Sequence, residues 1–177
     1  MKTDMKSVCI VVDFQKDFVD GALGFPGAAA LDDKIYAKVN AAKAEGTDVI
    51  FTYDTHETDY LSTPEGKELP VPHCLRGSEG WQLYGKTAET VDSTTLGFEK
   101  SQFASYELAE YLRRTRYDRV ELVGLVSHIC VISNAMLCKA ALPEAEIIVY
   151  KDLCASPDPK LHEEAMDIMR CVHIHVK

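Results

Sequence analysis

Short runs of consecutive apolar, mostly β-branched residues recur along this chain, and stretches of helical period separate them. Val8-Cys9-Ile10-Val11-Val12 shows no polar alternation, the pattern of a strand buried on both faces. Leu31, Ile35, Val39 and Ala42 then fall at helical spacing, and Gly46 stands where a helix would stop. Residues 48–53 read as a second strand, 103–114 as a helix with Leu108, Tyr111 and Leu112 on one face, and 120–123 as a third strand. Residues 129–141 read as a helix rich in small residues and 146–150 as a strand. A helix opened by Ser156 and Pro157 runs to about Met169, and residues 172–176 close as a strand. Such alternation predicts an α/β protein: a three-layer α/β/α arrangement of Rossmann-like topology around a mainly parallel central sheet. Residues from Asp54 to about Phe98 carry no period and are dense in Gly and Pro, an irregular excursion within a single domain spanning 1–177.

Composition narrows the partners. Nineteen Lys and Arg against 28 Asp and Glu give a net charge of −9, which disfavours phosphate-backbone or anionic-membrane binding and favours a small-molecule partner. No apolar run reaches the ~18 residues a membrane span needs. Met1-Lys2-Thr3-Asp4-Met5-Lys6 leads into a strand rather than a cleaved signal. The six cysteines are dispersed, with Cys9 and Cys171 in apolar, strand-like runs, so reduced and mostly buried thiols in a cytoplasmic protein are expected.

In sheets of this kind ligands gather beyond the carboxyl ends of the strands. Asp13 follows the first strand, Asp54-Thr55-His56 the second, and Gly124-Leu125-Val126-Ser127-His128-Ile129-Cys130 the third. Cys130 falls where a helix begins. Backbone N–H groups there lower a thiol pKa and could hold an oxyanion, although a small apolar residue packing helix on sheet would look the same. Asp13 could cap a turn or act as a general base toward that thiol. Lys100 could be a solvated lysine or the cation that keeps carboxylate and thiolate together.

Asp54 and His56, two apart in an extended segment, point to one side, and His73 in Pro70-Val71-Pro72-His73-Cys74 could complete a ligand set. A carboxylate with two imidazoles suits Zn²⁺, Fe²⁺ or Mn²⁺ with positions left open. Glu65 lies between them in sequence. His173 and His175 are as well spaced but lack a placed third ligand, and are assigned to the closing strand.

Two strings mislead. Gly80-Trp81-Gln82-Leu83-Tyr84-Gly85-Lys86-Thr87 completes G-x-x-x-x-G-K-T, yet no buried strand feeds it, the following residues are poor helix formers, and its middle is bulky for a phosphate cradle. Gly21, Gly24 and Gly27 are misspaced for a dinucleotide fingerprint and read as turns.

Three segments, in order, resemble the isochorismatase-like cysteine hydrolases and within them the nicotinamidase/pyrazinamidase group. These are Val11-Val12-Asp13-Phe14-Gln15-Lys16-Asp17-Phe18, Asp54-Thr55-His56 with Glu65 through Cys74, and Gly124 through Val131. The resemblance implies hydrolysis of nicotinamide to nicotinate and ammonia in NAD salvage, with Asp13, Lys100 and Cys130 as catalytic triad. It implies a metal, foremost Zn²⁺, on Asp54, His56 and His73, with Glu65 a ligand in only some members. It further implies a cis Leu125–Val126 peptide, an oxyanion hole from the Val126 and Cys130 N–H groups, and a ring wall from Phe18, with Phe103 and Tyr106 as weaker members. A homo-oligomer is compatible with the group. The chain departs from many relatives in carrying His128 where they have an acid, and Leu69-Pro70 where some have tryptophan. Another small amide or carbamoyl substrate, or a catalytically silent binding protein, would fit the same fold.

Overall fold

The first strand, β1 (Ser7–Val12), is buried along nearly its whole length, as its unbroken apolar run requires. Val8, Ile10 and Val12 face one layer while Cys9 and Val11 face the other, the two-residue period of a pleated strand. A computed structural model describes residues 5–177 and contains six strands in the order β3-β2-β1-β4-β5-β6, all paired in parallel. The remaining strands are β2 (Asp48–Asp54), β3 (Leu96–Lys100), β4 (Arg119–Gly124), β5 (Glu146–Cys154) and β6 (His175–Val176). Residues 1–4 of the leading hexapeptide lie outside the described residues. No helix among the described residues is long and apolar enough to cross a membrane.

Helices cover both faces. After the one-turn α1 (Lys16–Val19), α2 (Asp32–Ala44) buries Ile35, Val39 and Ala42 against Cys9, Val11, Val49 and Phe51. Gly46, at φ +75, lets the chain leave that helix. Two short helices, α3 (Pro64–Glu68) and α4 (Gly85–Ala88), lie in the excursion. The opposite face is covered by α5 (Tyr106–Thr115), α6 (Ile132–Ala141) and α7 (Pro159–Cys171), which pack Leu108, Leu112, Ala135, Cys138, Met166 and Met169 on Ile10, Leu122 and Ile147. Ser105 caps α5 by accepting from the Leu108 N–H at 3.1 Å.

Several boundaries differ from expectation. The excursion ends in a strand, β3, that the sequence does not announce. The helix after β5 starts at Pro159 rather than Pro157, because the Asp158 carboxylate accepts from the Lys160 and Leu161 N–H groups at 2.8 and 3.2 Å. The closing strand shrinks to two residues; His173 sits at φ +63 in the preceding turn, and both His173 and His175 are exposed. Cys171 ends α7 and is exposed, whereas the other cysteines are buried; all six are unpaired.

The chain winds from β1 outward to β3, returns to β4 beside β1, and then winds the other way. Connections diverge where β1 meets β4, the crevice in which open α/β sheets place ligands.

Candidate active site

Asp13 is the first residue beyond β1 and holds φ +45, an uncommon conformation for a non-glycine residue. Thr52 on the neighbouring strand fixes it: its hydroxyl donates to Asp13 Oδ1 at 2.6 Å, and its Oγ1 accepts from the Asp13 N–H at 3.2 Å. Lys100 is the last residue of β3, in register with Asp54 at the end of β2. Its ammonium reaches over β2 to within 2.6 Å of Asp13 Oδ2, 3.4 Å of Asp54 Oδ1 and 3.7 Å of Cys130 Sγ. Lys100 and Asp13 are 1% and 0% exposed at their side chains, so the solvated-lysine reading is excluded. Asp13 Oδ2 takes the ion-pair contact but accepts no well-angled hydrogen bond.

Cys130 arrives by a different route. After β4, Gly124 adopts φ +117, and a Cβ there would stand 2.1 Å from Val12 O, so only glycine lets the chain pass this close to β1. The Leu125–Val126 peptide is cis. Residues Ser127–Val131 then form one wide π-helical turn ahead of α6, so Cys130 sits in that turn rather than in the first turn of an α-helix. Asn134 braces it, donating to the carbonyls of Cys130 at 2.8 Å and Phe103 at 3.0 Å while accepting from the Ser105 N–H at 3.0 Å.

The charges do not follow the simple helix-terminus expectation. Burial, then the Asp13 carboxylate, push the Cys130 thiol well above its ordinary value, against the pull of Lys100. Burial and Asp54 likewise raise the Asp13 carboxyl despite Lys100. Burial pulls Lys100 down, but Asp13, Cys130 and Asp54 together hold it above the ordinary lysine value. Both burial and the neighbouring carboxylate thus favour the protonated thiol, which lies beside a buried ammonium 3.7 Å away.

Beyond β2 the other cluster assembles. Ligand atoms of Asp54, His56 and His73 lie within 4.8 Å of one another, all three residues buried. Asp54 Oδ2 is 3.0 Å from His56 Nε2 and 3.3 Å from His73 Nε2. Glu65 Oε1, from α3, stands 3.7 and 3.8 Å from the same two nitrogens, and Glu65 Oε2 is buried without a partner. His73 Nδ1 is 2.8 Å from Val71 O, which places its proton there and turns the Nε2 lone pair toward the cluster. Burial opposes ionisation of Asp54, yet His56, His73 and Lys100 hold its carboxyl well below the usual range. Two converging imidazole nitrogens, an ionised carboxylate and an orphaned carboxylate oxygen are the donor set of a divalent cation. These residues could hold one.

Three supporting residues escaped the sequence reading. Gln15, fully buried, clamps the Asp54 backbone from both sides, its Nε2 donating to Asp54 O at 2.9 Å and its Oε1 accepting from Asp54 N–H at 2.8 Å. Asp17 accepts from the Cys74 N–H at 2.7 Å and so anchors the His73 loop to α1. Tyr60 packs edge-on against both imidazoles, with ring centroids 4.7 and 5.1 Å away. A buried amide two residues past Asp13 was the available signal.

Cys130, Asp54 and His73 share a cavity of about 180 Å³ with Phe18, Phe103 and Val126 among its walls. Phe18 meets His73 edge-on at 5.5 Å. The cavity is smaller than the ~300 Å³ at which drug-sized sites begin. Tyr106 does not belong to it. That side chain is 67% exposed and lines a separate, open cleft of about 620 Å³ reached from the His56 and Lys100 side.

The G-x-x-x-x-G-K-T string holds no phosphate cradle. Its amides are already engaged: Asp32 Oδ2 accepts from Lys86 N–H at 2.8 Å and Oδ1 from Thr87 N–H at 2.9 Å. The helix it opens is one turn long.

The Isochorismatase domain matches residues 7–176. The chain is 30% identical over 174 residues to an uncharacterized isochorismatase family protein of Bacillus subtilis, covering 92% of this chain and 93% of that one. It is 29% identical over 140 residues to the nicotinamidase/pyrazinamidase of Mycobacterium tuberculosis, covering 71% and 75%. The crystal structure of a pyrazinamidase/nicotinamidase from Streptococcus mutans superposes with a TM-score of 0.88 at 27% identity, over 97% of this chain and all (100%) of that one. Motifs, fold and match agree, and the chain belongs to the isochorismatase family.

Proposed function

We propose that the protein is a metal-dependent cysteine amidohydrolase that converts nicotinamide to nicotinate and ammonia, acting as one hydrolase domain in cytoplasmic NAD salvage. The observation that carries the reading is the contact of Lys100 Nζ with both Asp13 Oδ2 and Cys130 Sγ, at 2.6 and 3.7 Å, behind a ring-sized apolar cavity that Cys130 itself lines.

Asp54, His56 and His73, with Glu65 beside them, would hold a divalent cation, Zn²⁺ foremost. Bound there, the ion would supply a Lewis-acid anchor for a ring nitrogen and orient the ring.

The chain's own residues perform the acyl transfer. With substrate in place, Asp13 takes the Cys130 thiol proton, and Lys100 stabilises the thiolate so formed. The sulfur attacks the carboxamide carbon, and the Val126 and Cys130 N–H groups hold the oxyanion. Asp13 then gives its proton to the departing nitrogen, the C–N bond breaks, and ammonia leaves a thioester on Cys130. Asp13, again a carboxylate, takes a proton from water as it attacks the thioester; nicotinate leaves, and the proton returns to sulfur. Phe18 and Phe103 wall the ring and exclude water.

The test is release of ammonia and nicotinate from nicotinamide by the metal-loaded protein, beside a panel of other amides and carbamoyl compounds. Cys130→Ala should abolish turnover and leave the metal in place. Turnover of nicotinamide by that variant would sink the proposal, and a preference for a different amide would move the substrate.

A further inference from the structure

Along one face α7 buries Ala165, Met166 and Met169. The helical period places His162 on that face too, three, four and seven residues before them. A histidine thus stands where the apolar stripe would begin. It is half-buried, and its Nδ1 lies 2.9 Å from Ser127 Oγ. Ser127 is fully buried, and among the described residues its hydroxyl has no other hydrogen-bond partner. The bond forms in either tautomer of the ring: a bare Nδ1 accepts from the hydroxyl, and a protonated Nδ1 donates to it.

Ser127 opens the wide turn that carries Cys130, and it falls between the Val126 and Cys130 N–H groups assigned to the oxyanion. The peptide joining Val126 to Ser127 is pinned at both ends. Val126 O accepts from the Ile129 and Val131 N–H groups at 3.0 and 3.1 Å, and Ser127 N–H donates to Ala155 O at 2.8 Å. At the other end of the turn Asn134 holds the Cys130 carbonyl at 2.8 Å. Neither Ser127 nor His162 lines the cavity. Without the imidazole a buried hydroxyl would be left unpaired, and the turn would have to shift to find it a partner. A misplacement of about 1 Å at a reacting centre costs about 10²-fold in rate.

We infer that His162 is a positioning residue: from α7, outside the cavity, it holds Ser127 and so sets where the Cys130 sulfur and the Val126 N–H stand relative to the substrate carbonyl. The inference rests on the reading of Cys130 as the nucleophile of an amidohydrolase.

The experiment measures kcat and KM for ammonia release from nicotinamide by the metal-loaded parent, His162→Leu, His162→Asn and Ser127→Ala. The same proteins are treated with iodoacetamide, and alkylation of Cys130 is followed by peptide mass spectrometry, with the exposed Cys171 as internal control. His162→Leu fills the space and offers no partner; kcat should fall about 10- to 100-fold while KM stays within about twofold. Alkylation of Cys130 should slow with it, and that of Cys171 should not. His162→Asn can present an amide where Nδ1 lies and should recover kcat to within about threefold of the parent. Ser127→Ala should lower kcat about tenfold. A parental kcat in His162→Leu, whatever its melting temperature, overturns the inference and leaves the amidohydrolase reading standing. So does a His162→Asn protein as impaired as His162→Leu. Should His162→Leu fail to fold, a parental kcat in Ser127→Ala overturns it equally. If the parent releases no ammonia from nicotinamide, it is the substrate reading that fails, and equal alkylation of Cys130 in parent and His162→Leu then overturns the positioning role by itself.

Discussion

Lys100 Nζ lies 2.6 Å from Asp13 Oδ2 although their strands, β3 and β1, are not neighbours in the sheet. The lysine reaches across β2, whose last residue, Asp54, is in register with it and 3.4 Å from its ammonium. One buried cation therefore serves two carboxylates, one in each cluster, and neither can lose it cheaply. Lys100→Met should abolish turnover and lower unfolding free energy by about 3–5 kcal/mol, since it leaves two buried carboxylates facing each other. Asp13→Asn keeps the shape and removes the base, and should lower kcat by about 10²–10⁴-fold. Urea unfolding and steady-state kinetics on the two variants check both. A Lys100→Met protein as stable as the parent would mean the ammonium is not the partner these distances indicate.

The raised Asp13 carboxyl sets a pH dependence whose sign can be worked out. Burial and Asp54 lift it above the ordinary 3.8 against the pull of Lys100. A base must be ionised to work, so kcat/KM should rise with pH through the folded-state value, with its acid limb displaced above pH 3.8. Stability moves the other way. Between 3.8 and the folded value the native protein keeps a proton that the unfolded chain has released, so this group's contribution falls as pH rises through that window. An acid limb at or below 3.8 in the kcat/KM profile would contradict the placement of Asp13.

Asp13, Asp54, His56 and Cys130 were legible because each follows a strand whose apolar run is unmistakable, and strand ends are where this architecture puts chemistry. Lys100 stands at a strand end just as directly, as the last residue of β3, but β3 is an edge strand. Leu96, Gly97 and Glu99 are exposed and only Lys100 is fully buried, so the segment carries no hydrophobic pattern to read. The wide turn at Ser127–Val131 was invisible for the opposite reason. Apolar spacing continues through it into α6, and a turn closing one residue later leaves that spacing almost unchanged. At residues 156–159 two capping signals compete, Ser-Pro and Asp-Pro. The second prevails because the Ser156 hydroxyl is taken up by His128 and by the Asp158 N–H.

Removing ligands from the Asp54 cluster should separate its members from the other histidines. His56→Ala and His73→Ala should each weaken metal retention at least tenfold and raise KM for nicotinamide, because the ring anchor is lost with the ion. His175→Ala, exposed on β6 at the other edge of the sheet, should leave metal content unchanged. Elemental analysis after dialysis reads the result directly. Full metal content in His56→Ala and His73→Ala would place the ion elsewhere.

The phosphate-loop string offers the sharpest contrast between a pattern and what a structure does with it. Asp32, the first residue of α2, inserts its carboxylate between the Lys86 and Thr87 N–H groups, so the place a phosphate would take is filled by the protein's own anion. Gly85 makes room for it: at φ +56, its Cβ would stand 2.1 Å from Asp32 Oδ2. Asp32→Ala should therefore destabilise by about 1–2 kcal/mol, the loss of a helix cap, and Gly85→Ala by at least as much, since it displaces the same carboxylate and strains its own backbone. Lys86 is solvent-exposed and pairs with Asp33 at 2.6 Å, so Lys86→Ala should change stability by less than about 0.5 kcal/mol and leave amide hydrolysis intact. ATP with Mg²⁺ should produce no shift in melting temperature in the parent or in Asp32→Ala. A nucleotide-dependent shift that Lys86→Ala removes would restore the phosphate-binding reading of this loop.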